Sequence, residues 1–198
     1  MVPIQELREK ALDLINQNAV FPDPQLLIQA AEIYEEIIHQ LIAGARASRA
    51  SGDLNGCAQL YREIASFSSF CGEIYRRVAE WPKKNDVSPE DREVFRSNAL
   101  QSLIRSVVYF RRRGELLIQN GRPEGFKDWT HSLYILAEYV TRYDLSPKWK
   151  KFAKNLIRKA EENGAPKYII WDMKFFYTII SYRETLHNLK SIERRYII

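Results

Sequence analysis

Proline can neither donate to a helical hydrogen-bond ladder nor leave its predecessor at ease in one, and in this chain the prolines stand where helical patterns begin or end. Pro3, Pro22, Pro24, Pro82, Pro89, Pro147 and Pro166 all fall at such boundaries. Three of them follow a polar capping residue, as Asp23–Pro24, Ser88–Pro89 and Ser146–Pro147. That order is the signature of a helix start, since the first turn lacks amide partners in any case and proline is preset to its dihedral.

Between these marks the apolar residues recur at helical spacing. The first helix is expected over Pro3–Asn18, and the second from the Asp23 cap to about Ser48. The third runs over Leu54–Trp81, and the fourth from the Ser88 cap to Asn120, where Gly121 can take the left-handed terminating conformation. Gly114 would weaken it midway. The fifth is expected over Asp128–Tyr143 and the sixth over Pro147–Asn163, closed by Gly164. The seventh follows Pro166 and reaches nearly to Ile198. Within it Tyr168–Tyr182 is rich in aromatic and β-branched residues that would also suit strands. It has no internal turn residue, and its continuation favours helix.

The expected fold is therefore all-α, a helical bundle or irregular array of about seven helices without significant sheet. At 198 residues one domain over 1–198 can bury a sizeable core, and any division into two lobes is expected near the 82–88 linker. The N-terminal sequence lacks a basic segment followed by an apolar one, and no uncharged apolar run reaches the length of a bilayer span. A cytoplasmic chain without a membrane span is expected. Cys57 and Cys71, on one helix and about 21 Å apart, are too distant to pair and read as small buried hydrophobes.

Charge is unevenly placed. Residues 1–100 carry 11 Lys and Arg against 15 Asp and Glu, whereas residues 101–198 carry 19 against 10. A basic half of this kind suits nucleic acid, another polyanion, an acidic protein surface or association between copies. Two helical faces concentrate it. On the fourth helix Arg105, Tyr109, Arg112 and Arg113 recur away from the stripe of Ala99, Leu103, Val107 and Phe110. On the sixth, Lys148, Lys150, Lys151, Lys154, Arg158 and Lys159 occupy the arc opposite Trp149, Phe152, Leu156 and Ala160. Arginine offers bidentate phosphate contacts and tyrosine a stacking surface. Arg105, Tyr109, Arg112, Arg113, Lys148, Lys151, Lys154 and Arg158 are the candidate nucleic-acid contacts, with Arg194, Arg195 and Tyr196 adding to the basic end.

The seventh helix is apolar on two sides. Trp171, Phe175, Ile179, Tyr182, Leu186 and Leu189 form one stripe, and Ile169, Met173, Phe176 and Ile180 another. Such a helix belongs at the centre of a core or at a seam between chains, so a homo- or hetero-oligomer is expected.

Two Glu-x-x-His steps, Glu36 with His39 and Glu184 with His187, have the spacing that di-metal helical bundles use. The first points away from the buried face centred on Leu26, Ala30, Tyr34, Ile37 and Leu41, and a metal centre must face inward. A di-metal enzyme is the third reading of the chain, and no cofactor is expected. Phosphate-binding glycine loops, nucleophile elbows and zinc-protease motifs are absent from the sequence, and His131 has no evident catalytic partner. The expected function is non-enzymatic.

The stretch Ala45–Ala65, ARASRASGDLNGCAQLYREIA, resembles the turn and second helix of a tetratricopeptide repeat, with Gly52 and Asp53 at the turn, Cys57 at the small-residue position and Tyr61 at the aromatic one. It is similar also to the hairpins of microtubule-interacting-and-transport domains. The resemblance covers one hairpin and no tandem copy follows. It implies a protein-interaction adaptor that takes a partner helix near Cys57 and Tyr61, with Trp171, Phe175 and Tyr182 as further interaction residues. The leading expectation remains a binding or assembly subunit that contacts nucleic acid or another polyanion through its basic C-terminal half.

Overall fold

The structure is a computed structural model that describes residues 2–82, 86–142 and 148–196, with backbone alone for 140–142 and 183–196. Seven helices follow one another: α1 (Ile4–Val20), α2 (Pro24–Ala50), α3 (Leu54–Ala79), α4 (Pro89–Gln119), α5 (Gly125–Arg142), α6 (Lys148–Glu162) and α7 (Lys167–Tyr196). Among the described residues there is no strand, and the stretch from Tyr168 to Tyr182 is helical.

Most of the described starts and stops are made by the residues expected to make them, while the expected Ser146–Pro147 start of α6 lies outside the described residues. Asp23 accepts from the Gln25 amide at 2.9 Å and Asp53 from the Gly56 amide at 2.9 Å. Ser88 accepts from the Asp91 amide at 3.1 Å while its hydroxyl donates to the Asp91 carboxylate at 2.8 Å. At the other end of α4, Gly121 has φ 71° and the Arg122 amide reaches back to the Leu117 carbonyl at 2.9 Å. Gly164 closes α6 in the same way. A left-handed residue there satisfies carbonyls that the helix would otherwise leave bare.

The chain forms two compact units, Met1–Tyr109 and Phe110–Ile198. The division falls inside α4, whereas the 82–88 stretch lies within the first unit. In that unit α1 and α3 both pack on α2, burying Ile37, Ile38, Ile64 and Val78 completely or nearly so. The first part of α4 is tied to α2 and α3 by side chains. Gly72 of α3 leaves room for Leu103, whose side chain would collide with any Cβ there. Phe95 stacks on Tyr75, and Arg92 donates to the Ala79 carbonyl at 2.9 Å. Cys57 and Cys71 are both buried and unpaired with each other.

In the second unit α7 packs on α5 and α6, and α5 on α6. Leu133, Leu136, Met173 and Ile180 form its most buried part. The end of α4 meets α5 at two glycines. A Cβ on Gly114 would lie 2.7 Å from the Gly125 carbonyl and against the Trp129 indole. Gly114 thus permits close approach of two helices, a role its weak helix propensity alone does not reveal. The Trp129 indole N–H donates to the Arg111 carbonyl at 3.1 Å, which fixes the same crossing.

Candidate polyanion-binding face

The two basic surfaces identified in the sequence fare differently in three dimensions. On α4, Arg105 lies inside the first unit and donates to both Glu35 carboxylate oxygens, at 2.6 and 2.7 Å. The Ser102 hydroxyl donates to Glu35 at 3.3 Å and the Cys71 thiol at 3.4 Å. Burial alone would raise the Glu35 carboxyl, but the Arg105 guanidinium and these two donors hold it below its ordinary value. Burial, with Glu35 beside it, pushes the Cys71 thiol far up, so this cysteine is inert at neutral pH.

Arg113, in the second unit, donates to both oxygens of Asp128 at 2.6 and 2.7 Å, with the Asp128 side chain buried. Tyr109 packs edge-on against Tyr61, ring centroids 5.4 Å apart. Of the four α4 candidates only Arg112 is exposed. The expectation that this face is basic and outward is therefore corrected: acids distant in sequence, Glu35 and Asp128, fold onto it.

On α6 the arc persists. Ala153, Leu156, Ile157 and Ala160 are buried, with Trp149 and Phe152 half-buried beside them. Lys148, Lys151, Lys154 and Arg158 are exposed. Six basic residues stand against two acidic ones in this helix, a net of +4. One edge of α6 turns to α4, where Lys159 meets Glu115 at 3.1 Å and the Arg111 guanidinium lies 5.9 Å from the Phe152 ring centre. The opposite edge turns to α7, where Glu161 meets Lys174 at 2.8 Å. Between these edges Arg158 pairs with Glu162 at 3.0 Å, an exposed contact of little energetic weight. No acid among the described residues pairs with Lys151 or Lys154.

Along α7 the two apolar stripes separate. Ile169, Met173 and Ile180 are buried, with Phe176 half-buried beside them. Tyr168, Trp171, Phe175 and Tyr182 are 62, 79, 63 and 65% exposed. Their spacing places them within an arc of roughly 60° opposite the buried side. α7 is accordingly not buried on both sides, as a central helix would be; one aromatic face meets solvent over its described length.

Aromatic surface continues onto α5. Phe175 stands edge-on to Phe176, whose ring lies 5.7 Å from Tyr134; Tyr134 stacks on His131 at 5.7 Å, and His131 meets Phe110 at 4.5 Å. The second unit thus presents three neighbouring strips: the lysines of α6, the exposed rings of α7, and Tyr134 with His131 on α5. The helical phase of Tyr168 with Trp171 and Phe175 could have been read from sequence. The participation of Tyr134, His131 and Lys174 depends on how the helices pack.

The remaining candidates do not assemble into a site. Glu36 and His39 are exposed on α2, and the described residues contain no cluster of three metal-binding side chains. Glu184, His187, Leu186, Leu189, Arg194, Arg195 and Tyr196 lie outside the described side chains. Cys57 and Tyr61 are buried, and Tyr61 is covered by Tyr109 of the chain's own α4. The α2–α3 hairpin, with helices of 27 and 26 residues, is longer than a 34-residue repeat can hold. No helix among the described residues is long and apolar enough to cross a membrane. No protein-family model, curated protein or solved structure matches the chain.

Proposed function

We propose that the chain is a non-enzymatic binding subunit that contacts nucleic acid through the basic arc of α6. The observation that carries this reading is the exposure of Lys151, Lys154 and Arg158 on the outer side of a helix whose other side is anchored by Ala153, Leu156, Ile157 and Ala160. A row of cations held on a packed helix can follow a phosphate backbone, and the gain comes from releasing the counterions condensed on it. Contacts of this kind position a nucleic acid without reading its bases. Binding is therefore expected to be weakly sequence-specific and steeply salt-dependent.

The test is binding of the full chain to single- and double-stranded DNA and RNA, from low to physiological salt. The K151E/K154E double variant is expected to weaken binding to every probe and to flatten the salt dependence, with an unchanged helical spectrum. Failure of all four probes at low salt overturns the proposal.

A further inference from the structure

Phosphate contacts account for the lysines of α6 and leave the exposed rings of α7 unexplained. Single exposed apolar residues are ordinary on a protein surface, but a contiguous row of large ones marks an interaction site. Tyr168, Trp171, Phe175 and Tyr182 form such a row. The Lys174–Glu161 pair fixes which flank of it adjoins α6. Helical phase puts Lys154 and Arg158 on the same side of α6 as Glu161, so these cations rim the row. Trp171 and Phe175 are separated along the axis by about 6 Å, close to twice the 3.4 Å base step of one strand, which leaves space for a base between neighbouring rings. Phe175 is braced from behind by Phe176.

From this arrangement we infer that the ligand is single-stranded nucleic acid, its bases stacked on Trp171 and Phe175 and its backbone running along Lys151, Lys154 and Arg158. The inference rests on the nucleic-acid reading above and narrows it. Paired bases within a duplex have their faces covered by neighbours, so only an unpaired strand can offer them to protein rings. Charge favours this occupant over a second copy of the chain. A two-fold interface sets the same patch against itself, and here it would bring two lysine rims together. Among the described side chains the acids near the row are few: Glu161 and Glu162 are each paired to a basic neighbour, Glu138 belongs to α5, and Asp172 is exposed on the flank of the row away from Lys174 by helical phase.

The experiment measures binding of the full chain to oligo-dT of about 15 nucleotides, a duplex of equal length, heparin, and vesicles of phosphatidylserine and phosphatidylcholine. Sedimentation of the free protein accompanies it. Oligo-dT is expected to bind more tightly than duplex and to quench tryptophan fluorescence. Trp171→Ala and Phe175→Ala should each weaken oligo-dT binding about tenfold with heparin binding unchanged, and Trp171→Phe should retain most of it. K151E/K154E should weaken both ligands. All of these side chains are exposed, so the variants are expected to fold, with unchanged thermal melting as the control.

Oligo-dT binding that survives loss of both rings but not of the lysines overturns the stacking inference and leaves the α6 reading standing. Binding to neither oligonucleotide, duplex nor heparin at low salt overturns both. Vesicle binding without oligo-dT binding, or a dimer that Trp171→Ala dissociates, assigns the row to another occupant and overturns the inference.

Discussion

Arg105 of α4 and Glu35 of α2, 70 positions apart in sequence, meet through two parallel hydrogen bonds of 2.6 and 2.7 Å. Each side chain is about one quarter exposed. The fork of the guanidinium matches the carboxylate geometry, and Ser102 and Cys71 supply Glu35 with further donors. A charge so placed is costly once its partner is removed. Arg105→Leu is expected to lower the stability of the chain by about 2 kcal/mol, measured by urea denaturation, and to leave nucleic-acid binding in place. Loss of binding in a stably folded Arg105→Leu protein would show that the α4 surface takes part after all.

The same pair gives stability a defined pH dependence. The folded Glu35 carboxyl lies below its ordinary value, so at acid pH the unfolded chain takes up a proton before the folded one does. Its contribution is therefore fully present above the ordinary value of 4.5 and is lost as pH falls through the folded value. Melting followed from neutral pH to about pH 3 should show the wild type losing more stability than Glu35→Gln across that window. Parallel slopes would contradict the assignment.

His131 has the opposite charge type and the same sign of linkage. The residue is exposed on α5, but Phe110 and Tyr134 cover part of the ring, and this partial burial holds the imidazole below the ordinary 6.5, with Glu138 opposing. The unfolded chain therefore protonates first as pH drops below about 6.5, and folded stability declines in that window. An NMR titration of His131 should give a midpoint below 6.5, and a midpoint above it would show that Glu138 prevails.

Two helical glycines are expected to respond oppositely to alanine. At Gly44 the added methyl would meet Leu60 at 3.5 Å, an ordinary contact, so Gly44→Ala should stabilise by roughly 0.5–1 kcal/mol through helix propensity. At Gly114 the methyl would meet the Gly125 carbonyl and the Trp129 indole. Gly114→Ala should destabilise by about 1–3 kcal/mol despite the same propensity gain. Denaturation midpoints of the two variants on either side of the wild type would bear this out.

The helices were legible because their ends are chemically marked. Asp23, Ser88, Gly121 and Gly164 act through hydrogen bonds within a few residues, and such local effects survive translation from sequence to structure. The start of α5 departed from this. Asp128 reads as its first residue, whereas the helix begins at Gly125, and Asp128 instead sits in the first turn, held by Arg113.

Local chemistry and periodicity by themselves determined seven helices, the caps at Asp23 and Ser88, the burial of Cys57 and Cys71, and the exposure of Glu36 and His39. They also separated the two stripes of α7 by phase. Only tertiary structure decided which stripe meets solvent, because both are largely apolar and the choice depends on what α5 and α6 cover. Packing likewise decided that Arg105 and Arg113 are neutralised while Lys151 and Lys154 stay exposed. A cation's availability depends on acids brought near it through space, and Glu35 reaches Arg105 only when α2 and α4 pack together.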